Sequence, residues 1–251
     1  MLILTSPAKT LDLSKEWDEE FTNPTFTQEA DELVASLKNM SLKKLKSTLE
    51  VSDKLAQLNY ERFQVWGKDH NVSNSKPAIR MYYGDIYREL SPKEYSKDQK
   101  AYLQKTLRII TGLYGLLRPY DLIQPYRLEM KIKLNTKKGK DLYQFWGDKL
   151  TDLLNQEIRD YKHKLLVSLA SNEYEAAVDL DKIESEVWDI LFLQKKNGEL
   201  KNVGIFSKKA RGTMIQYCVE NQIETIDNLK KFNADGYKFS NADNKTLVFV
   251  R

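Results

Sequence analysis

Leu107-Arg108-Ile109-Ile110-Thr111-Gly112-Leu113-Tyr114-Gly115-Leu116-Leu117-Arg118-Pro119 is the stretch whose reading decides the fold. Leu107, Ile109 and Ile110 read as the apolar end of a helix that begins near Lys97, after a helix-start signal at Ser91-Pro92 and Glu94. Two glycines three apart then predict a tight turn. Glycine accepts positive φ and lets main-chain N–H groups approach a ligand closely, so such a turn behind a helix suits an anion. Arg118 follows at once, and Pro125-Tyr126-Arg127-Leu128-Glu129-Met130 carries the segment on toward Lys140.

Charge supports the same reading. From residue 112 to 140 the chain carries seven basic residues (Arg118, Arg127, Lys131, Lys133, Lys137, Lys138 and Lys140) against Asp121 and Glu129, a net of +5 in a chain whose total is +4. The remainder is therefore nearly neutral, and a local positive patch is the footprint expected for a polyanion, although a charge run can also be a solvated face. Tyr114, Tyr120, Tyr126, Tyr143, Phe145 and Trp146 are interleaved with these cations. Aromatics so placed can stack on unpaired bases, but on a helical face Phe145 and Trp146 read first as core.

The 251 residues, 41% hydrophobic and 30% charged, describe a globular chain that we read as one domain. No apolar run is long enough to span a membrane, and Met1-Leu2-Ile3-Leu4 is broken by Pro7, Lys9 and Asp12 too early for a secretory leader, so a cytoplasmic location is expected. Cys218 is the only cysteine and lies on an apolar helical face, which predicts a buried thiol and excludes an internal disulfide. With His70 and His163 far apart and no compact carboxylate motif, neither a metal site nor a cofactor is expected.

Along the chain, Leu2 to Leu4 reads as a buried strand, residues 27 to 66 as helices capped at Ser41 and at Ser52 or Asp53, and Ala78 to Tyr83 as a strand turned out by Gly84-Asp85-Ile86-Tyr87. A further helix begins after Gly139, and Lys164 to Ala170 reads as a strand closed by Ser171-Asn172-Glu173-Tyr174. Asn197-Gly198 between Val187–Leu193 and Leu200–Phe206 is a strong hairpin signal. Ser207-Lys208-Lys209-Ala210-Arg211-Gly212 then leads into the helix of Cys218, and Tyr237–Phe239 with Leu247–Val250 make a second hairpin. The class is mixed α and β, with strands and helices interleaved.

Three segments have the chemistry of phosphate contact. The Gly112 turn resembles a helix-hairpin-helix element, in which the hairpin and the following helix N-terminus offer N–H groups to one phosphate; its alternative is a bare connection between helices. Its glycines are three rather than two apart, and Pro119 requires the second helix to start at or near it. Ser6-Pro7-Ala8-Lys9-Thr10 follows a strand, where α/β folds place ligand loops, but it has no glycine and is not a nucleotide-cradling loop. Lys208, Lys209 and Arg211 lie between a strand and a helix, where cations oppose the helix dipole and a purely structural role is less comfortable. Asp85, Asp121, Glu129, Asp141 and Glu173 sit beside turns, yet no spacing pairs them as a general acid and base, so no catalytic residue is assigned.

Taken together, Ser6-Pro7-Ala8-Lys9-Thr10, Ser52-Asp53-Lys54-Leu55-Ala56, Gly84-Asp85-Ile86-Tyr87, Gly112-Leu113-Tyr114-Gly115 with Leu117-Arg118-Pro119, Pro125-Tyr126-Arg127-Leu128-Glu129-Met130, Gly139-Lys140-Asp141-Leu142-Tyr143-Gln144-Phe145-Trp146-Gly147, Leu169-Ala170-Ser171 and Lys208-Lys209-Ala210-Arg211-Gly212 resemble the YaaA peroxide-stress family, in that family's order and over nearly the whole chain. Asn172 stands where the family pattern has Asp. The resemblance implies a single-domain bacterial cytoplasmic protein with a family-specific fold, a helix-hairpin-helix element and a basic cleft. It also implies binding to duplex and distorted DNA, protection against iron-driven peroxide damage, and no established catalytic activity.

On this reading Gly112, Gly115, Arg118, Arg127 and Lys140 hold a DNA phosphate, and Lys9, Thr10, Lys54, Lys208, Lys209 and Arg211 line a shared cleft. The competing reading is an enzyme acting on damaged DNA or a nucleotide, with Lys9 as a Schiff-base nucleophile or a cleft carboxylate as the reacting group. Direct iron handling is the weakest of the three, since the chain has few soft ligands.

Overall fold

A computed structural model describes residues 1–14, 17 and 20–251. The chain starts with strand β1 (Leu2–Thr5) and continues through helices α1 (Thr27–Lys38), α2 (Leu42–Leu49) and α3 (Asp53–Gln64). Leu33, Val34 and Leu37 of α1, Leu45 and Leu49 of α2 and Phe63 of α3 are buried, as their spacing predicts. Ser41 Oγ accepts the Lys44 N–H at 3.3 Å and Ser52 Oγ accepts the Leu55 N–H at 3.4 Å, so both expected caps are in place. The short strand β2 (Lys76–Pro77) leads into helix α4 (Ala78–Met81), and a 3-10 turn follows at Tyr87–Glu89.

Helix α5 (Lys97–Thr106) starts on a capping box made by Ser96 and Gln99 and ends where β3 (Leu107–Thr111) begins. Then come β4 (Gly115–Leu117), β5 (Leu122–Ile123), α6 (Leu142–Trp146), α7 (Lys149–Ile158), β6 (Leu165–Leu169) and α8 (Asn172–Glu175). The last third comprises β7 (Glu186–Lys196), β8 (Glu199–Lys201), α9 (Gly204–Asn221), α10 (Ile226–Leu229), β9 (Asn233–Ala234), β10 (Tyr237–Asp243) and β11 (Thr246–Val250). No helix among the described residues is long and apolar enough to cross a membrane.

The principal sheet has the order β4-β3-β1-β6-β7-β11-β10-β9, with β8 paired to β7. Its middle is parallel: β1 pairs with β3 and β6, β6 with β7, and β7 with β11. Antiparallel strands finish both sides, and β2 with β5 makes a separate small ribbon. From β1 the chain passes to β3 on one side and then returns to β6 on the other, so the winding direction reverses between β1 and β6. Ligand sites of parallel α/β sheets lie at the carboxyl ends of the strands flanking such a reversal.

Several expectations are corrected. Leu107–Thr111 is a fully buried parallel strand and not the end of a helix, because its β-branched run packs inside the sheet. The Gly112 turn therefore joins two antiparallel strands, Ile110 opposite Leu116, and is no helix-hairpin-helix element. Both glycines are buried. A Cβ on Gly112 would come within 2.5 Å of the Leu128 carbonyl oxygen, and one on Gly115, whose φ is +64°, would strike the Trp146 ring at 2.7 Å. They serve packing, and a phosphate cannot reach them. Ala78–Met81 is a helical turn rather than a strand. The second arm of the Asn197-Gly198 hairpin stops at Lys201, so the 207–212 segment lies inside α9 instead of preceding it.

Candidate functional site

The carboxyl ends of β1 and β6 open into a cavity of about 660 Å³. Four separate segments wall it: 6–10 after β1, 83–88 running into the 3-10 turn, 171–174 after β6, and Lys208 with Arg211 from α9. The segments are locked together by short polar contacts. Ser6 Oγ donates to Ser171 Oγ at 3.3 Å and accepts the Ser171 N–H at 2.8 Å, while the Tyr87 hydroxyl donates to the Ser6 carbonyl at 2.8 Å. Close backbone approach completes the enclosure. A Cβ on Gly84 would meet Ala8 Cβ at 2.9 Å, and one on Gly212 would stand 2.2 Å from the Ile86 carbonyl oxygen, so α9 can lie on the 84–89 segment only because position 212 has no side chain.

Four cations, Lys9, Arg88, Lys208 and Arg211, face two carboxylates, Asp85 and Glu173, around this space. Lys9 is anchored at its back: its Nζ lies 2.8 Å from Glu129 Oε2, and Arg127 donates to the other Glu129 oxygen at 2.8 Å. Burial acts to raise the Glu129 carboxyl, but the Lys9 hydrogen bond and the two nearby cations outweigh it and hold the group below its ordinary value. Lys9 keeps 59% of its side chain exposed, so the amine is oriented yet reachable. Arg88 lies over the half-exposed ring of Tyr83, its guanidinium carbon 4.6 Å from the centroid.

In the cavity wall Arg211 is mostly enclosed, and burial lowers its guanidinium value, with Asp189 and Glu175 opposing that shift. Its Nε has no hydrogen-bond partner. Glu175, bonded by the Ser168 hydroxyl, is raised by burial despite that bond and Arg211. Tyr87 of the wall belongs to a buried tyrosine cluster. Tyr82 and Tyr126 share a hydrogen bond of 2.7 Å and Tyr82 packs on Tyr87 at 5.3 Å; burial raises all three phenols, Tyr126 to about 12, so they stay neutral.

Of the residues singled out by sequence, Lys9, Thr10, Lys208 and Arg211 meet in this cavity. Arg127 stands one layer behind, acting on Lys9 through Glu129. The others lie elsewhere. Arg118 is bound to buried Asp121 at 3.0 Å and to the Asn23 carbonyl, Lys209 pairs with Asp235 at 3.2 Å, and Lys54 and Lys140 are exposed on the first turn of α3 and just before α6. Tyr83, Arg88 and Asn172, which the sequence does not assign to phosphate contact, also line the cavity; the one local signal near the first two is the Gly84-Asp85-Ile86-Tyr87 turn.

The sequence that builds this site matches a known family. The family model described as Peroxide stress protein YaaA matches residues 1–243. The chain belongs to that family. A UPF0246 protein of Marinomonas sp. (strain MWYL1) is 43% identical over 254 aligned residues, covering 100% of this chain and 97% of the relative. A UPF0246 protein of Idiomarina loihiensis is 41% identical, covering 100% of this chain and 98% of the relative. In this YaaA member, the motifs at residues 6–10, 84–87, 169–171 and 208–212 are the ones that fold into the cavity wall.

Proposed function

We propose that this YaaA family member is a cytoplasmic DNA-binding protein of the peroxide-stress response, and that the cavity between β1 and β6 is the centre of its phosphate contacts. The observation that carries this reading is the convergence of Lys9, Arg88, Lys208 and Arg211 on one concave surface at the reversal point of the sheet. Cationic side chains fix a phosphodiester backbone without reading sequence, so little sequence specificity is expected. Covering the DNA would limit iron-driven oxidation indirectly.

The test is the salt dependence of binding to a plain duplex. Each phosphate contact contributes roughly 0.9 to the slope of log affinity against log salt. Lys9→Ala and Lys208→Ala should each lower the slope by about that amount. An unchanged slope and affinity in both variants would remove the reading.

One arrangement favours a second reading, an enzyme acting on a damaged base or sugar. Lys9 lines the cavity with 59% of its side chain exposed, and Glu129, 2.8 Å from its Nζ, is placed to take the proton that the ammonium must lose before the amine attacks as a Schiff-base nucleophile. Borohydride trapping on an abasic duplex should then yield a covalent adduct that Lys9→Ala abolishes. No adduct from the unsubstituted protein would dispose of the lyase.

A further inference from the structure

We infer that the cavity between β1 and β6 accepts one unpaired nucleotide turned out of a DNA helix, with its base stacked on Tyr83. The inference rests on the DNA-binding reading and adds to it the chemical unit that enters. A volume of about 660 Å³ falls within the roughly 300–1,000 Å³ that holds a whole small ligand, whereas a duplex is too wide to enter it. A protein that only tracked the backbone would need a shallow basic strip and no deep concavity. Here the space is a deep, half-open concavity, and Gly84 and Gly212 bring three of its wall segments into contact.

The walls have the two kinds of chemistry that a nucleotide presents. Lys9, Lys208 and Arg211 suit its phosphate. For the base there is Tyr83, one of the few large aromatic rings left exposed, held at the cavity wall with the Arg88 guanidinium over it. An exposed ring beside a planar cation is a stacking surface for a base of any identity. Asp85 and the Asn172 amide supply acceptors and a donor for a base edge or a sugar hydroxyl. Bases leave the helix most readily where pairing is already lost, which directs such a site to mismatched or damaged positions.

Three probes test this at one salt concentration: a paired duplex, the same duplex carrying one extrahelical 2-aminopurine nucleotide, and free deoxyadenosine monophosphate. The protein should bind the extrahelical probe about fivefold or more tighter than the paired one, with a change in 2-aminopurine emission. Tyr83→Ala should bring that ratio toward one, and Tyr83→Phe, which keeps the ring, should preserve it. A ratio of one in the unsubstituted protein, or a ratio that survives Tyr83→Ala, overturns the inference while salt-dependent duplex binding leaves the DNA reading intact. Tyr83-dependent binding of the free nucleotide alone would uphold the nucleotide site and overturn the DNA reading. Failure to bind any of the three overturns both.

Discussion

Two basic regions of the molecule differ in a way that their sequences conceal. The 112–140 segment is the denser in charge, yet Arg118, Arg127, Lys131 and Lys138 are all held in ion pairs, with Asp121, Glu129, Glu50 and Glu32. The cavity draws single cations from distant segments, and among the described residues neither Lys208 nor Arg88 has an ion pair. Lys9 is paired with Glu129 yet keeps 59% of its side chain exposed, and Lys133, Lys137 and Lys140 of the first region are exposed with no ion pair among the described residues, so what separates the two regions is convergence on one concave surface. Linear charge density does not measure that convergence.

The contrast can be broken most sharply at the glycine of the first region. Gly112→Val places new atoms against the Leu128 carbonyl, where backbone cannot give way, and should cost about 3 kcal/mol of stability by urea denaturation. Arg118→Ala comes next. It strips the partner from an Asp121 side chain that is 1% exposed and should cost about 2–3 kcal/mol, reduced from the fully buried case because Arg118 is partly solvated. The variant, while folded, should keep the salt slope of DNA binding. Lys208→Ala should do the reverse, with stability within about 0.5 kcal/mol and the slope lowered. If Arg118→Ala lowers the slope as much as Lys208→Ala, the division of the two regions is wrong.

Acidity probes the seam between them, since Glu129 of the first region anchors Lys9 of the second. The Glu129 carboxyl is held below its ordinary 4.5, so its pairing adds stability that is present above that pH and disappears as the pH falls through the lower folded value. Glu129→Gln should flatten this part of the acid limb in a pH series of unfolding curves. An identical limb would show that the pair does not couple to folding. The smallest effect belongs to Lys209, whose exposed pair with Asp235 lies off the cavity: Lys209→Ala should leave both stability and slope where they were.

Much of the frame could be read from the residues. Leu2–Leu4 and Leu165–Leu169 are apolar runs that read as buried strands, the Asn197-Gly198 hairpin forms with both residues at positive φ, and Ser41 and Ser52 cap the helices they precede. Leu107–Thr111 misled because a strand buried on both faces is apolar without alternation, and a short run of that kind fits a helix face equally well. The site was legible only in pieces. Lys9, Thr10, Lys208 and Arg211 were recognised as phosphate-seeking, but what unites them is sheet order and the close approach of α9, neither of which is local. Tyr83 ends a run, Ala78–Tyr83, that reads as a strand, and Arg88 lies beyond it in the 3-10 turn, so neither carries a local sign of a ligand site.

The central place of β1 also sets a timetable for the chain as it is made. Leu2–Thr5 is synthesised well before either of its neighbours, Leu107–Thr111 and Leu165–Leu169. Until then an apolar strand has no edge to join, and the Ser6–Thr10 wall has no partner at Ser171. Such long-range pairing makes for slow folding and for a nascent chain that relies on being shielded from its copies.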